Sequence, residues 1–247
     1  MLGCDMNLIK EKLSRIKLIH EDIRIYLKTL KVMGLDHIHF GYWKDDTDTI
    51  EKAQDNLYRL VKSYIPADVI NILDIGGGIG GISSLLMQDG FNTLCVIPDR
   101  KLIIEGKKRF PDVKFLRGTA EYFTAKMRYD LALLIESYQY FTRRSKGLSN
   151  IVRHLNNRGW IIILDEFSLL PGGLPEENEL IENLNRLHYY SKTRCDITKY
   201  ILPTCEYVAK IFDGVVDTIS DQWKKVLRNY LSGKRTYLML IFQNKGD

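Results

Sequence analysis

Apolar residues recur at two different spacings along this chain. Ile9, Leu13, Ile16, Ile19, Ile23, Leu27 and Leu30 follow one another at intervals of three or four, which predicts an amphipathic helix ending near Gly34. A second helix is predicted from Asp48 or Thr49, with Ile50, Ala53, Leu57, Leu60 and Val61 on one face, stopping before Pro66. Beyond that proline the pattern turns into short apolar runs: Val69 to Ile75, Leu94 to Ile97, Val113 to Leu116, Tyr129 to Ile135 and Trp160 to Leu164. Helix-compatible stretches lie between them, Gly80 to Gln88, Lys101 to Phe110 and Arg144 to Leu155. Strands alternating with helices imply βαβ units and a parallel sheet, with right-handed crossovers placing helices on both faces.

After the fifth run the alternation breaks. Glu176 to Tyr190 and Pro203 to Phe212 read as helices, Val215 to Ile219 as a sixth strand, Asp221 to Leu231 as a helix and Thr236 to Phe242 as a seventh strand. Pro171, Gly172, Gly173 and Pro175 mark a loop before the inserted helix. The expected architecture is α/β, a doubly wound, mostly parallel seven-stranded sheet of Rossmann-like form with a helical cap. Residues 1–247 are expected to form one domain, with residues 1–65 as an N-terminal helical cap segment and 168–201 as an inserted cap helix.

Composition narrows the partners. The net charge of +5 over 247 residues is mild, and no Lys/Arg run carries interleaved aromatics, so the basic residues read as a solvated surface and no nucleic acid is expected. The partner expected is a small molecule, with a homodimer left open. Cys4, Cys95, Cys195 and Cys205 include no Cys-x-x-Cys pair and no His cluster completes a metal site, so no metal is expected and reduced thiols in the cytoplasm are the simplest account. Met1 to Lys12 mixes charges without an apolar core, so no signal peptide is expected, and no stretch is apolar enough to span a bilayer.

The most informative stretch is Asn71 to Gly81, NILDIGGGIGG. An apolar strand ends in an acid, meets five glycines in six positions, and a helix follows. Glycines there let a ligand approach the backbone, at the carboxyl end of a strand where open α/β sheets bind ligands. A tight turn with no ligand is the structural alternative, disfavoured because each glycine weakens the elements around it. Gly76, Gly78 and Gly81 also satisfy G-x-G-x-x-G, a weak signal for a nicotinamide dinucleotide. Asp74 argues against that ligand, because its charge would stand where a pyrophosphate must sit. S-adenosylmethionine has no phosphate and carries a sulfonium and an amino group.

Asp74 to Gly81 resembles the first motif of class I S-adenosylmethionine-dependent methyltransferases, usually D-x-G-x-G-x-G. Tyr129 to Ser137 resembles that family's fourth strand with its acidic end, and Asn157 to Glu166 the turn into its fifth strand. Asp36 to Trp43 resembles the H-x-G-Y-W element of a small-molecule subgroup that includes tocopherol, sarcosine and sugar methyltransferases, with cyclopropane synthases more distant. Leu202 to Trp223 resembles the cap-to-sixth-strand region of the same subgroup. The resemblance implies a small-molecule methyltransferase that uses S-adenosyl-L-methionine. It assigns cofactor contacts to Tyr42, Asp74, Gly76, Gly77, Gly78, Gly80, Ile97, Asp99, Thr119, Ala120, Glu121 and Glu136. Two departures stand out. The acid that usually ends the second strand and binds the ribose is replaced by Val96 or Ile97, with Asp99 two or three residues late. The usual G-D-A after the third strand is Gly118-Thr119-Ala120.

Methyl transfer from a sulfonium needs chiefly proximity and alignment, and a base only where the acceptor carries a proton. Candidates for that base are His39, Tyr42, Tyr140 and His188, each with a structural alternative as loop or packing residue. Three functions follow: a methyltransferase; a nicotinamide-dependent oxidoreductase; or a non-methylating enzyme or binding protein that keeps the fold, which the missing second-strand acid favours.

Overall fold

The computed structural model describes residues 27, 31, 33–37, 39–170 and 174–246. The helix expected from Ile9 to Leu30 lies almost wholly outside these residues, as does the Pro171–Gly173 turn. Along the chain run α1 (Ile50–Ser63), β1 (Asn71–Ile75), α2 (Gly81–Gln88), β2 (Asn92–Ile97), α3 (Arg100–Arg109), β3 (Phe115–Arg117) and β4 (Tyr129–Ile135). A 3-10 turn (Tyr138–Tyr140), α4 (Arg144–Arg153), β5 (Leu155–Ser168), α5 (Glu177–Arg186), β6 (Tyr189–Asp196), α6 (Thr198–Phe212), α7 (Asp217–Leu231) and β7 (Arg235–Asn244) follow.

These elements divide into two compact units. One comprises the sheet with its helices, Ile65–Asp196 and Arg235–Asp247; the other combines the chain up to Tyr64 with Ile197–Lys234. The sheet has the order β3-β2-β1-β4-β5-β7-β6. β7 runs antiparallel to both β5 and β6, and the remaining pairs are parallel. Leu131–Leu134 on β4 and Ile161–Leu164 on β5 are fully buried, the continuous apolar run of strands covered on both faces. Each leucine and isoleucine among them contributes roughly 1.5–3 kcal/mol on leaving water. Strand order reverses between β1 and β4. A crevice therefore opens at their carboxyl ends, where the glycine loop begins.

Two expectations are corrected. Val215 to Ile219 is not a strand, because α7 begins at Asp217, whose Oδ1 accepts from Gly214 N at 3.0 Å. Ile219, Trp223, Val226 and Tyr230 form a helical stripe that outweighs two adjacent valines. The sixth strand is Tyr189–Asp196, inside the segment expected to be a cap helix. It is an edge strand bearing Lys192 and Arg194, with a register shift between Ser191 and Thr193. Charges and bulges of that kind protect sheet edges and erase the apolar alternation that marks a strand.

In the helical unit the H-F-G-Y-W element is stitched to the helices. Tyr42 N donates to Ala53 O at 2.7 Å and Trp43 N to Tyr200 O at 2.9 Å. Thr204 Oγ1 accepts from Gly41 N at 3.0 Å and from Trp43 Nε1 at 2.8 Å. Phe40 packs edge-on against Trp223 and Tyr230.

Candidate active site

The glycine loop leaves β1 by a series of tight turns. Gly76 N donates to Val96 O, Gly78 N to Gly76 O and Gly80 N to Gly77 O, each at 2.8 Å. Gly76, Gly78 and Gly80 all have positive φ, at 78°, 60° and 87°. Space restricts the loop as well. A Cβ on Gly76 would land on the Cβ of Ser137, and one on Gly77 would land on the Asp74 carboxylate.

Asp74 accounts for the second constraint. It is fully buried, accepts from Ser83 Oγ at 2.7 Å, and burial pushes its carboxyl up to about 6. The acid thus lies under the loop as a support tied to α2, with Gly77 closed over it.

The end of β4 stands against the other side of the loop. Glu136 has φ of 51°, a left-handed conformation that costs a non-glycine residue on the order of 1–3 kcal/mol. Its neighbours hold it there. Glu136 N donates to Leu164 O at 2.7 Å, and Tyr237 Oη donates to Glu136 Oε1 at 2.8 Å. The buried Asp165 accepts from Tyr138 N at 2.7 Å and Gln139 N at 3.2 Å, fixing the 3-10 turn. Burial pushes Asp165 up to about 7. Between Glu136 and that turn, the buried hydroxyl of Ser137 has no hydrogen-bond partner.

The edge formed by β2 and β3 is built differently. β2 ends in buried Ile97, whose carbonyl accepts from Gly118 N at 3.2 Å. Asp99 caps α3, its Oδ1 accepting from Lys101 N at 2.6 Å and Leu102 N at 3.2 Å. Thr119 is exposed and Ala120 is packed in the core. Glu121 is buried, and its Oε1 accepts from Thr142 Oγ1 and Arg143 N, both at 3.1 Å. Burial opposes its charge, yet these bonds hold the carboxyl below its usual range. Glu121 therefore ties the loop after β3 to the start of α4.

Residues 73–163, spanning β1 through most of β5, match a family described as a methyltransferase domain. Over this stretch the chain is similar to a methyltransferase domain. No curated protein matches the sequence. Solved structures share its fold over most of the chain. A putative sarcosine dimethylglycine methyltransferase from Galdieria sulphuraria superposes with a TM-score of 0.80 at 14% identity, covering 90% of this chain and 97% of that one. A geranyl diphosphate C-methyltransferase from Streptomyces coelicolor A3(2), solved with Mg2+, geranyl diphosphate and S-adenosyl-L-homocysteine, gives 0.70 at 15% identity, covering 86% and 93%. The [4+2]-cyclase SpnF gives 0.72 at 18% identity, covering 88% and 92%.

The structure sorts the base candidates. Tyr140 is 74% exposed on the 3-10 turn beyond Glu136. His188 is a correction. It is not on a helix but in the turn from α5 to β6, exposed and with φ of 63°. Tyr189 beside it pairs with Asn244, next to the Trp160–Gln243 pair, so His188 sits at the amino end of β5, opposite the end that carries the loop. His39 and Tyr42 belong to the helical unit. The His39 ring stands 4.8 Å from that of His37 and engages Phe40 O through Nδ1 at 2.7 Å, while Nε2 has no partner. Burial drives its pKa down to about 3, so it stays neutral. Tyr42 stacks on Tyr200 at 4.4 Å, and Lys199 Nζ lies 4.6 Å from the Tyr200 ring.

Sequence reasoning missed Ser137 and Tyr237. Ser137 adjoins Glu136 in the fourth-strand motif, and only its packing against Gly76 singles it out. Tyr237 lies 101 positions from Glu136 and is connected to it only through strand order. No helix among the described residues is long and apolar enough to cross a membrane.

Proposed function

We propose that the protein is an S-adenosylmethionine-dependent methyltransferase acting on a small molecule. The observation that carries this reading is the cradle between β1 and β4. Side chains are absent at Gly76–Gly78, a buried Ser137 hydroxyl lacks a partner there, and Glu136 is clamped at the adjoining strand end. Such a site suits a ligand with a compact, cationic, hydrogen-bonding end. A pyrophosphate would meet the Glu136 carboxylate instead, which disfavours a nicotinamide dinucleotide. The fold shared with the sarcosine and geranyl diphosphate methyltransferases supports the reading.

When bound, S-adenosylmethionine supplies an electrophilic methyl group on a sulfonium. In this account the backbone at Gly76, Gly78 and Gly80 lets its amino-acid end approach, and Glu136 balances the sulfonium charge. Asp74 and Gly77 act by shaping the loop. Asp99 and the backbone around Ile97 stand where the ribose would be held, and Thr119 offers an uncharged hydroxyl on the adenine side. Ala120 packs into the core, and Glu121 braces the same loop. Tyr140 lies on the acceptor side. Burial lowers the His39 pKa to about 3, which makes it a weak base, and His188 is at the wrong end of the sheet, so neither is assigned as base. A cytoplasmic location, with the cysteines kept reduced, belongs to the same reading.

A second reading is favoured by one observation. β2 ends without an acid and Asp99 already caps a helix, so the ribose is less firmly held than two free carboxylate oxygens would allow. A non-methylating use of the fold would tolerate that, and the fold does serve a [4+2]-cyclase. Native mass spectrometry of the purified protein separates ligand classes. The expected result is a complex with S-adenosylmethionine or S-adenosylhomocysteine, and a bound nicotinamide nucleotide would reject the proposal. If added S-adenosylmethionine is bound but never converted to S-adenosylhomocysteine across a panel of hydroxyl, amine and carbon acceptors, the second reading gains.

A further inference from the structure

We propose that Tyr237 is a positioning residue whose hydroxyl fixes the Glu136 carboxylate beside the glycine cradle, facing the sulfonium of the bound cofactor. The inference rests on the cofactor reading above. Tyr237 lies on β7, and β5 separates that strand from β4. Its ring is fully buried, yet its hydroxyl reaches past β5 to Glu136 Oε1 at 2.8 Å. The start of β7 is itself held, since Tyr237 stands opposite Glu166, whose carboxylate accepts from Arg235 Nη1 at 2.9 Å.

Glu136 is thus held at both ends. Its backbone is tied to β5 through Leu164 O in a left-handed conformation, and its side chain is tied to β7 through Tyr237. Backbone strain of this kind persists only where the surroundings over-determine it, and such places cluster at ligand sites. Ser137 gives independent support. It follows Glu136 directly, packs on Gly76, and has a buried hydroxyl without a partner. A carboxylate fixed next to that hydroxyl is preorganised for a positive charge and needs no rearrangement when the ligand arrives.

Titration calorimetry with two probes tests the inference. S-adenosylmethionine carries the sulfonium charge, whereas S-adenosylhomocysteine has the same frame with a neutral sulfur. Tyr237→Phe removes only the hydroxyl. It should weaken binding of S-adenosylmethionine by about tenfold, the scale of one hydrogen bond to a charged group, and weaken S-adenosylhomocysteine clearly less. Glu136→Gln should lose at least as much, and the double variant should match Glu136→Gln alone, because Tyr237 acts through that carboxylate. Equal affinities in wild type and Tyr237→Phe would overturn the inference and leave the cofactor reading standing. Equal losses for both probes, additive with Glu136→Gln and accompanied by a lower melting temperature, would make Tyr237 a packing residue only. Failure of the wild type to bind either probe would overturn the cofactor reading and this inference with it.

Discussion

A single methyl group at position 77 would collide with a carboxylate that has nowhere to go. Asp74 is fully buried and held by Ser83, so Gly77→Ala must move either the acid or the loop. We expect it to destabilise the protein by about 1–3 kcal/mol in denaturant unfolding, the usual cost of overpacking. Asp74→Ala in the same chain should recover most of that loss. If the double variant is no more stable than Gly77→Ala, the two residues are not the source of the constraint. Asp99 allows a similar separation of roles. Asp99→Ala removes the α3 cap and should cost about 1 kcal/mol of stability. Should the carboxylate also hold the ribose, calorimetry will show a further loss of about 1.5–3 kcal/mol in S-adenosylhomocysteine affinity. Lower stability with unchanged affinity would leave Asp99 as a cap alone.

Elements show where sequence reading works and where it stops. β1, β2, β4 and β5 were legible because buried parallel strands are continuous apolar runs, and the glycine loop was legible because backbone geometry restricts residue type so sharply. β6 was not legible, since an exposed edge strand carries polar residues on both faces. Val215 and Val216 misled because two β-branched residues resemble a strand until the stripe from Ile219 to Tyr230 is followed. Part of the site was hidden for another reason. Glu136 ends a strand and could be read from its motif, but Tyr237 meets it only through the order β4-β5-β7. In the helical unit, Thr204 is the comparable hidden link, accepting from both Gly41 N and Trp43 Nε1. Thr204→Val leaves two donors without an acceptor and should cost about 2–4 kcal/mol, whereas Thr204→Ser should recover much of it. Chemical denaturation of the two variants checks this, and equal stability would show that water replaces the hydroxyl.

Across the whole molecule, the two units carry buried ionisable groups with opposite responses to pH. In the sheet unit, burial raises Asp74 to about 6 and Asp165 to about 7, above the unfolded carboxylate value of about 4. The folded unit then holds more protons than the unfolded chain between pH ~4 and ~7, so these acids make it less stable as pH rises through that window. In the helical unit, burial lowers His37 to about 4 and His39 to about 3, below the unfolded value of about 6.5. There the unfolded chain holds more protons, so stability falls as pH drops below ~6.5. Moving from pH 7.5 to 5 should therefore strengthen β4 and β5 and weaken α1 and α6, by on the order of 1–2 kcal/mol per group. Hydrogen exchange corrected for its intrinsic pH dependence reads both units at once, and protection changing in the same direction in both would refute the assignment.

The central claim is that the cradle between β1 and β4 takes a sulfonium cofactor and not a dinucleotide, and calorimetry of the wild-type protein tests it most directly. S-adenosylmethionine and S-adenosylhomocysteine should each bind at one site per chain, NAD and NADP should give no heat, and Gly78→Leu should abolish the first two without unfolding the protein. Saturable binding of a nicotinamide dinucleotide, or S-adenosylhomocysteine affinity unchanged in a folded Gly78→Leu variant, would contradict the account.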